Sequence, residues 1–267
     1  MSDNVRGLDP GDAMPRLAGN LSMMFSEVGM LARFEIAARV GFTGVEIQNP
    51  YGESSADLAL AYRDSGLEPV LFNVPQALGA VPGREADFEA GFAKALEYAE
   101  VTGCRQIHCL AGTTDAPQAE ATFVSNLRRA STAARPLGVR LLLEPLNTRD
   151  NPGYFLSSSG HARRIIDLVN EDNVFLQYDI YHMQIMEGNL IETIKANLGI
   201  IGHIQIAGVP GRHEPDNTQE INYPYLFDAI DDSGYNRWMA CEYRPRGETV
   251  AGLTWALPYG IDPGQAP

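Results

Sequence analysis

The feature that most constrains the fold is a pattern that recurs along the chain. A segment with helical hydrophobic period ends in glycine, and a short apolar run of β type follows within a few residues. Glycine adopts the left-handed conformation that closes a helix without a Cβ penalty, so each repeat predicts a helix followed by a buried strand. The glycines at these positions are Gly41, Gly66, Gly103, Gly138 and Gly234.

Further strand-like runs bring the total to eight, which predicts an α/β fold, a single (β/α)8 TIM barrel. They are RLAGNL near the start, VFLQYD and GHIQIA. Residues 16–260 then divide into units of about 31 residues, the usual size in such a barrel. Strands buried on both faces are almost continuously apolar, as RLLLE is. The alternative, an open doubly wound sheet, is not favoured because no GxGxxG motif follows the first strand.

We expect one domain, at residues 16–260, between two short terminal segments. Residues 1–15 lack the apolar stretch of a signal peptide and predict a flexible N-terminal extension, and residues 261–267 predict a C-terminal tail. No run reaches the roughly 18 apolar residues that a membrane span requires. The cysteines form no CxxC pair, which is typical of buried thiols in a reducing compartment. The sequence therefore predicts a cytoplasmic protein.

The charge balance narrows the range of partners. Lys and Arg number 20 against 34 Asp and Glu, a formal net charge of -14. Such a field repels nucleic acid phosphates and anionic lipid, so we expect neither nucleic acid nor a membrane surface as partner. A small keto-acid or sugar-acid substrate remains compatible, because a few local groups outweigh the global field at short range. Assembly into a homo-oligomer is also compatible with the sequence.

Polar residues stand where the predicted strands end, which is where βα barrels carry their catalytic groups. The last inward-facing positions are Asn20, Gln48, Asn73, His108, Glu144, Asp179, Gln205 and Glu242. The final four end consecutive strands, so we expect them to converge above the barrel mouth. Asn73 and His108 are candidate substrate-binding residues; the alternatives are a turn-capping amide and a structural core histidine.

The three carboxylates among these four residues favour a metal site. Carboxylates that face one cavity repel each other by around 4 kcal/mol per pair at ~4 Å and an effective dielectric of about 20. A divalent cation relieves this repulsion, and carboxylate and amide oxygens suit Mg²⁺ or Mn²⁺. We therefore predict metal ligands at Glu144, Asp179, Gln205 and Glu242. The alternative is a structural network in which protonation or arginines neutralise the acids.

Longer motifs resemble the hydroxypyruvate isomerase family of xylose isomerase-like TIM barrels, which includes the similar 2-oxo-tetronate isomerases. The resemblance extends from about Arg16 to Tyr259. It is carried by GNLSMMFSEVGMLARFEIAARVGFTGVEIQNPY, VPGRE, LLLEPLNTRDNPGYFL, QYDIYHMQIMEGNL, HIQIAGVPGRHEPDNTQEINYPYLF and CEYRPRGETVAGLTW.

The resemblance implies roles for individual residues. Glu144 in LLLEPLN and Glu242 in CEYRPRG match the two catalytic glutamates of the family, and the predicted metal ligands match its metal positions. Related ketose 3-epimerases carry histidine where this chain has Gln205, which favours the isomerase branch. His182 and Arg212 match residues that hold the substrate in those epimerases. A guanidinium suits a carboxylate, so either Arg212 or Arg244 is expected to bind the acid group of the substrate.

These observations predict an intramolecular oxidoreductase that interconverts hydroxypyruvate and tartronate semialdehyde through an enediolate. Glu144 and Glu242 would act as acid and base, and a divalent metal would bind the substrate oxygens. Within this class the alternatives are a 2-oxo-tetronate isomerase and, less favoured, a ketose 3-epimerase. Outside it, the alternatives are a metal-dependent phosphodiesterase and a non-catalytic metabolite-binding barrel.

Overall fold

The computed structural model describes residues 15–266 and shows a closed barrel of eight parallel strands. The strands are joined in sequence order, and β1 also pairs with β8. This confirms the predicted (β/α)8 fold. Most of the predicted N-terminal extension, residues 1–14, lies outside the described residues. The strands are β1 Leu17–Asn20, β2 Gly44–Ile47, β3 Glu68–Asn73, β4 Gln106–His108, β5 Arg140–Leu143, β6 Val174–Asp179, β7 Ile201–Ile206 and β8 Met239–Cys241.

Helices follow the strands and surround the barrel. Each of the glycines predicted to close a helix has a positive φ, between 63° and 105°, as the left-handed conformation requires. No helix of residues 15–266 is long and apolar enough to cross a membrane. The helices are α1 Met30–Arg39, α2 Ser55–Ser65, α3 Glu85–Thr102, α4 Ala119–Ala134, α5 Ser159–Val169, α6 Ile180–Met186, α7 Leu190–Asn197, α8 Tyr223–Asp232 and α9 Thr249–Gly252.

The chain beyond residue 260 contacts the barrel units. Ile261 is buried in the main hydrophobic core, and the backbone N–H of Asp262 donates to the Val40 carbonyl at 2.7 Å. A short 3-10 turn follows at Pro263–Gln265. The segment predicted to be a tail therefore packs beside the end of α1.

The hydrophobic core has two parts. The larger part lies between the outer face of the barrel and the helices, and its largest fully buried side chains include Phe34 and Phe123. The smaller part, here called the apolar layer, fills the barrel interior near the amino ends of the strands. It consists of Ala18, Val70, Leu71, Leu142 and Ala240, packed against Phe175 and Trp238.

Glycine in β2 and β7 makes room for the large side chains of the apolar layer. A Cβ at Gly44 would lie 2.7 Å from Cη2 of Trp238, and a Cβ at Gly202 would lie 2.7 Å from Cδ2 of Leu142. Both distances are far below van der Waals contact. Interiors are packed as densely as organic crystals, so these positions accept only glycine without a shift of their neighbours.

Candidate active site

The four residues predicted to be metal ligands are all buried at the carboxyl end of the barrel. Glu144 directly follows β5, Asp179 ends β6, Gln205 lies in β7, and Glu242 directly follows β8. Asp179 and Gln205 are register partners, and the apolar layer lies two residues earlier on two of these strands, at Leu142 and Ala240. Because side chains alternate between the faces of a strand, a step of two residues moves up one layer of the interior.

Arg212 joins two of the carboxylates. It lies in the loop between β7 and α8, with a left-handed backbone (φ 57°) directly after Gly211. Its Nη2 lies 2.8 Å from Oδ2 of Asp179 and 2.9 Å from Oε2 of Glu242, and its Nε donates to the carbonyl of Glu242. Although burial lowers the pKa of Arg212, Glu242 and Asp179 raise it above its ordinary value. A permanent positive charge therefore lies between the two acids.

His182 lies beside the same acids, in the first turn of α6. Asp179 caps this helix by accepting hydrogen bonds from the backbone N–H groups of Tyr181 and His182. The Nδ1 of His182 accepts from the backbone N–H of Asn147 at 3.0 Å, and its Nε2 lies 3.1 Å from Nη1 of Arg212 and 3.4 Å from Asp179. Burial lowers the pKa of His182 to about 4 despite the opposing effect of Asp179. The ring is therefore neutral near pH 7.

His108 and Asn73 are register partners on β4 and β3. The Nδ1 of His108 lies 3.3 Å from Oε2 of Glu144, and neither ring nitrogen has an aligned hydrogen-bond partner in the described residues. Burial lowers the pKa of His108 to about 3. Asn73 is half-buried, and its Oδ1 is likewise without a partner there. Arg244, the other predicted carboxylate-binding arginine, is exposed.

The surroundings of Glu144 and Glu242 disfavour the ionised form of both side chains. Burial raises the pKa of Glu144 well above its ordinary value, and Glu242 and Asp179 raise it further. Burial also raises the pKa of Glu242, against the opposing effect of Arg212. Within residues 15–266, Oε1 of Glu144 is buried without a hydrogen-bond partner, whereas Oε2 of Glu242 is paired with the Arg212 guanidinium at 2.9 Å. An unsatisfied buried polar group costs about 1–3 kcal/mol, so Oε1 of Glu144 is prepared for an additional ligand.

Three side chains bring possible metal-ligand atoms within 4.8 Å of one another: Glu144, Asp179 and His182. Two of them belong to the set predicted from the sequence. Glu242 lies outside this group and contacts Arg212, while the amide of Gln205 is hydrogen-bonded to Gln177 and Glu46. The three possible ligands are thus a histidine and two carboxylates.

Sequence reasoning missed two polar residues at the site and underestimated a third. Glu46 in β2 and Gln177 in β6 are fully buried, and Gln177 donates to Glu144 at 3.0 Å. Gln48, predicted only to end a strand, donates to Oε1 of Glu242. The signal that points to Glu46 and Gln177 is the alternation of the strands, because each lies two residues before a strand-end polar residue and so faces the same side.

Comparison with known proteins places the chain in a family. A family model described as xylose isomerase-like TIM barrel matches residues 34–259. The chain belongs to this family. A crystal structure described as AP endonuclease, family 2, from Brucella melitensis superimposes with a TM-score of 0.90 at 43% identity, covering 92% of this chain and 100% of that one. The 3-keto-D-glucoside 4-epimerase YcjR of E. coli has a TM-score of 0.74 at 22% identity over 91% of this chain and 95% of that one, which shows the fold alone.

Two curated relatives of high identity are named as isomerases. The chain is 47% identical to the 2-oxo-tetronate isomerase of Cupriavidus necator, over 92% of this chain and 99% of that protein. It is 44% identical to the hydroxypyruvate isomerase of Escherichia coli, over 92% of this chain and 100% of that protein. These relatives confirm the resemblance predicted from the motifs and the isomerase class of this enzyme.

Proposed function

We propose that this family member interconverts hydroxypyruvate and tartronate semialdehyde at the carboxyl end of its barrel. The observation that supports the proposal is the pair of buried glutamates at the barrel mouth: Oε1 of Glu144 has no hydrogen-bond partner in the described chain, and Glu242 is held by Arg212, with Nη2 of the arginine 2.9 Å from its Oε2. They directly follow β5 and β8, three strands apart in the ring, a placement from which they can flank a small substrate.

The chemistry needs one proton acceptor and one proton donor. One glutamate removes a proton from C3 of hydroxypyruvate; the C–H electrons form the C2–C3 double bond, and the π pair of the C2 carbonyl moves onto the C2 oxygen. The C3 hydroxyl then gives up its proton, its electrons form the aldehyde C=O, and the C2–C3 pair takes a proton at C2, while the C2 oxygen gains the proton that the C3 oxygen lost. A carboxyl group can serve as acceptor in one step and as donor in another, and a raised pKa makes it a stronger base when it is ionised. Burial raises the pKa of both glutamates above the ordinary value of a carboxyl group.

Positive and neutral groups around the glutamates complete the proposed site. Arg212 supplies a fixed positive charge beside the position of the developing enediolate, where electrostatic stabilisation contributes most. His182, neutral because burial lowers its pKa to about 4, is proposed to hydrogen-bond a substrate oxygen. Asn73 and His108 have side-chain atoms without a partner in the described residues and are proposed to orient the substrate from the opposite side of the barrel.

The donor set also fits a divalent cation, with Mg²⁺ or Mn²⁺ proposed. Glu144, Asp179 and His182 bring ligand atoms together, and the predicted ligands Gln205 and Glu242 lie beside them. Three acids share the site with one arginine, which leaves negative charge uncompensated. When bound, a cation would polarise the substrate carbonyl and stabilise negative charge on its oxygen.

Isomerisation of a 2-oxo-tetronate is the second candidate function. The observation that favours it is the similarity to the Cupriavidus necator enzyme, which is 47% identical to this chain. The proton transfer would be the same, and the substrate would be one carbon longer. Ketose 3-epimerisation has weaker support, since a D-allulose 3-epimerase and an L-ribulose 3-epimerase of similar fold are only 20% and 22% identical to this chain.

Activity on the two acids, with and without chelator, tests this proposal. We expect turnover of hydroxypyruvate, its loss after treatment with EDTA, and recovery with Mg²⁺ or Mn²⁺. Turnover of 2-oxo-tetronate with a kcat/KM more than tenfold higher than that for hydroxypyruvate would transfer the assignment to the second candidate. Full activity in EDTA would exclude the metal while leaving the two glutamates in place, and no activity on either acid would contradict the proposed function.

A further inference from the structure

Glu46, a fully buried carboxylate outside the proposed catalytic residues, accepts hydrogen bonds from several side chains at the base of the site. Glu46 in β2 has no exposed surface and lies across the barrel from β7. Its Oε1 accepts from Nδ2 of Asn20 at 2.7 Å and from Nε2 of Gln205 at 2.9 Å. Its Oε2 lies 2.8 Å from Nε2 of His203, which is also fully buried. Three donors from two other strands therefore converge on one carboxylate.

These contacts determine which way the amide of Gln205 points. A carboxylate accepts hydrogen bonds and cannot donate them, so Gln205 must turn its nitrogen toward Glu46. Its oxygen is then directed to Gln177, whose Nε2 donates to it at 2.6 Å. The amide oxygen and nitrogen of Gln205 have nearly the same size and shape. Without Glu46, the side chain could therefore rotate by 180° and exchange their positions.

The same logic extends to Glu144. Nε2 of Gln177 lies between two acceptors, Oε1 of Gln205 and Oε2 of Glu144, and uses both of its hydrogens on them. If the Gln205 amide reversed, its NH₂ would face the NH₂ of Gln177, which would turn in response and present its oxygen to Glu144. Two oxygens would then face each other at the proposed catalytic group. The orientation of each amide thus depends on the one before it.

We infer that Glu46, held by His203, is a positioning residue that orients Gln205 and, through Gln177, fixes Glu144 for proton transfer. This inference rests on the proposed function of Glu144. Residues that orient a functional side chain typically change activity 10- to 100-fold when substituted, although they do not touch the substrate.

A double-mutant cycle on kcat tests the inference, with the melting temperature recorded for every variant. We expect Glu46→Gln to lower kcat 10- to 100-fold with a small change in KM, since an amide in place of this carboxylate lets the Gln205 amide adopt both orientations. We expect Gln205→Met to lower kcat as well. The double variant should have the same kcat as Gln205→Met alone, because Glu46 then has no Gln205 amide to orient. Gln106→Met is the matched control, because Gln106 is a buried amide on β4 whose nitrogen donates only to the carbonyl of Val70 among the described residues.

Each outcome separates this inference from the proposed function. If Glu46→Gln keeps kcat within twofold of wild type, or if its effect multiplies with that of Gln205→Met, the positioning role is wrong. An equal loss of kcat in Gln106→Met would also contradict it, since any buried amide would then serve. Glu144→Gln measured alongside tests the proposed function itself: wild-type turnover in that variant would refute the site as a whole.

Should Glu46→Gln fail to fold, His203→Leu serves in its place. This variant removes one of the three donors to Glu46 and leaves the carboxylate present. We expect a decrease in kcat smaller than 10-fold that disappears in the Gln205→Met background. An unchanged kcat in His203→Leu would overturn the inference.

Discussion

The same strands carry two different interiors. Near their amino ends, the apolar layer fills the barrel with alanine, leucine and two large aromatic side chains. Two residues further along β1, β5 and β8, the interior is lined by Asn20, Glu144 and Glu242. Each of these strands therefore contributes one side chain to packing and another to the candidate site. Which of the two a residue does depends on its layer in the barrel and not on its strand.

The two interiors also contribute to stability with opposite sign. Burial of apolar surface in the lower layer stabilises the fold by roughly 25 cal/mol per Å². The upper layer contains buried acids with raised pKa values and side-chain atoms without partners in the described chain, each of which opposes folding. We therefore expect substitutions in the upper layer to affect turnover and those in the lower layer to affect stability.

The largest expected effect is on turnover, at Glu144 and Glu242. Glu144→Gln and Glu242→Gln are each expected to lower kcat about 10²- to 10⁴-fold, the usual contribution of a general acid or base. The melting temperature is expected to stay the same or rise, because each variant replaces a carboxylate whose charge is disfavoured by burial with a neutral amide of the same shape. Steady-state kinetics and calorimetry on the same preparations measure both. A drop in melting temperature that parallels the loss of turnover would contradict the division between the layers.

In the apolar layer, Leu142→Ala is expected to show the opposite pattern. Leu142 has no exposed surface, so the truncation should lower the free energy of unfolding by about 2–5 kcal/mol. Glu144 lies only two residues further along the chain, yet kcat per folded molecule should be unchanged. Urea unfolding and active-site-normalised rates provide the two values. A large fall in kcat with unchanged stability would show that the apolar layer serves turnover, which is the opposite of the role expected for it.

Adding volume to the same layer should have a smaller effect. In Gly44→Ala the new Cβ would lie 2.7 Å from the Trp238 ring, and we expect a loss of about 1–3 kcal/mol in the free energy of unfolding. Gly52→Ala is the matched control, since apart from residues adjacent in the chain no atom of the described residues lies within 4 Å of the position that its new methyl group would occupy. Its stability should change by less than about 0.5 kcal/mol. Equal stability of the two variants would show that the layer is loosely packed.

The smallest effect is a pH dependence that comes from His108. Burial lowers its pKa from 6.5 to about 3, so between these values the unfolded chain binds a proton that the folded chain does not. The free energy of unfolding must then fall as the pH is lowered from 6.5, by at most about 1.4 kcal/mol per pH unit. Glu144 and Glu242, with raised pKa values, have the opposite sign.

The difference between wild type and His108→Asn isolates this contribution. Between pH 6.5 and 5, wild type should lose more stability than the variant, by about 1–2 kcal/mol in denaturant titrations. Parallel curves for the two proteins would mean that His108 is charged in the folded state.

Much of this arrangement follows from local sequence patterns. The glycines that close helices and the polar residues at strand ends are short-range signals, and both were sufficient to predict the barrel and to single out Glu144 and Glu242. The isomerase class followed from longer motifs. All of these signals depend on residues that are close together in the sequence, so a single sequence is sufficient to predict the features that they indicate.

The contacts that were not predicted are long-range or irregular. Glu46 lies within the apolar run GVEI, and its partners Gln205 and His203 are on a strand more than 150 residues away. Arg212 reaches Asp179 and Glu242 from a loop with a left-handed backbone, which no hydrophobic period encodes. Closure of the barrel brings these groups together.

The central claim is that Glu144 and Glu242 transfer a proton between neighbouring carbons of the substrate. Isomerisation of hydroxypyruvate in D₂O, followed by NMR, tests it most directly, because protons on a carboxyl group exchange with solvent. We predict deuterium at C2 of the product for the wild-type enzyme and a conversion rate about 10²- to 10⁴-fold lower in Glu144→Gln and Glu242→Gln. Conversion without any deuterium in the product, at a rate that neither substitution changes, would contradict the claim.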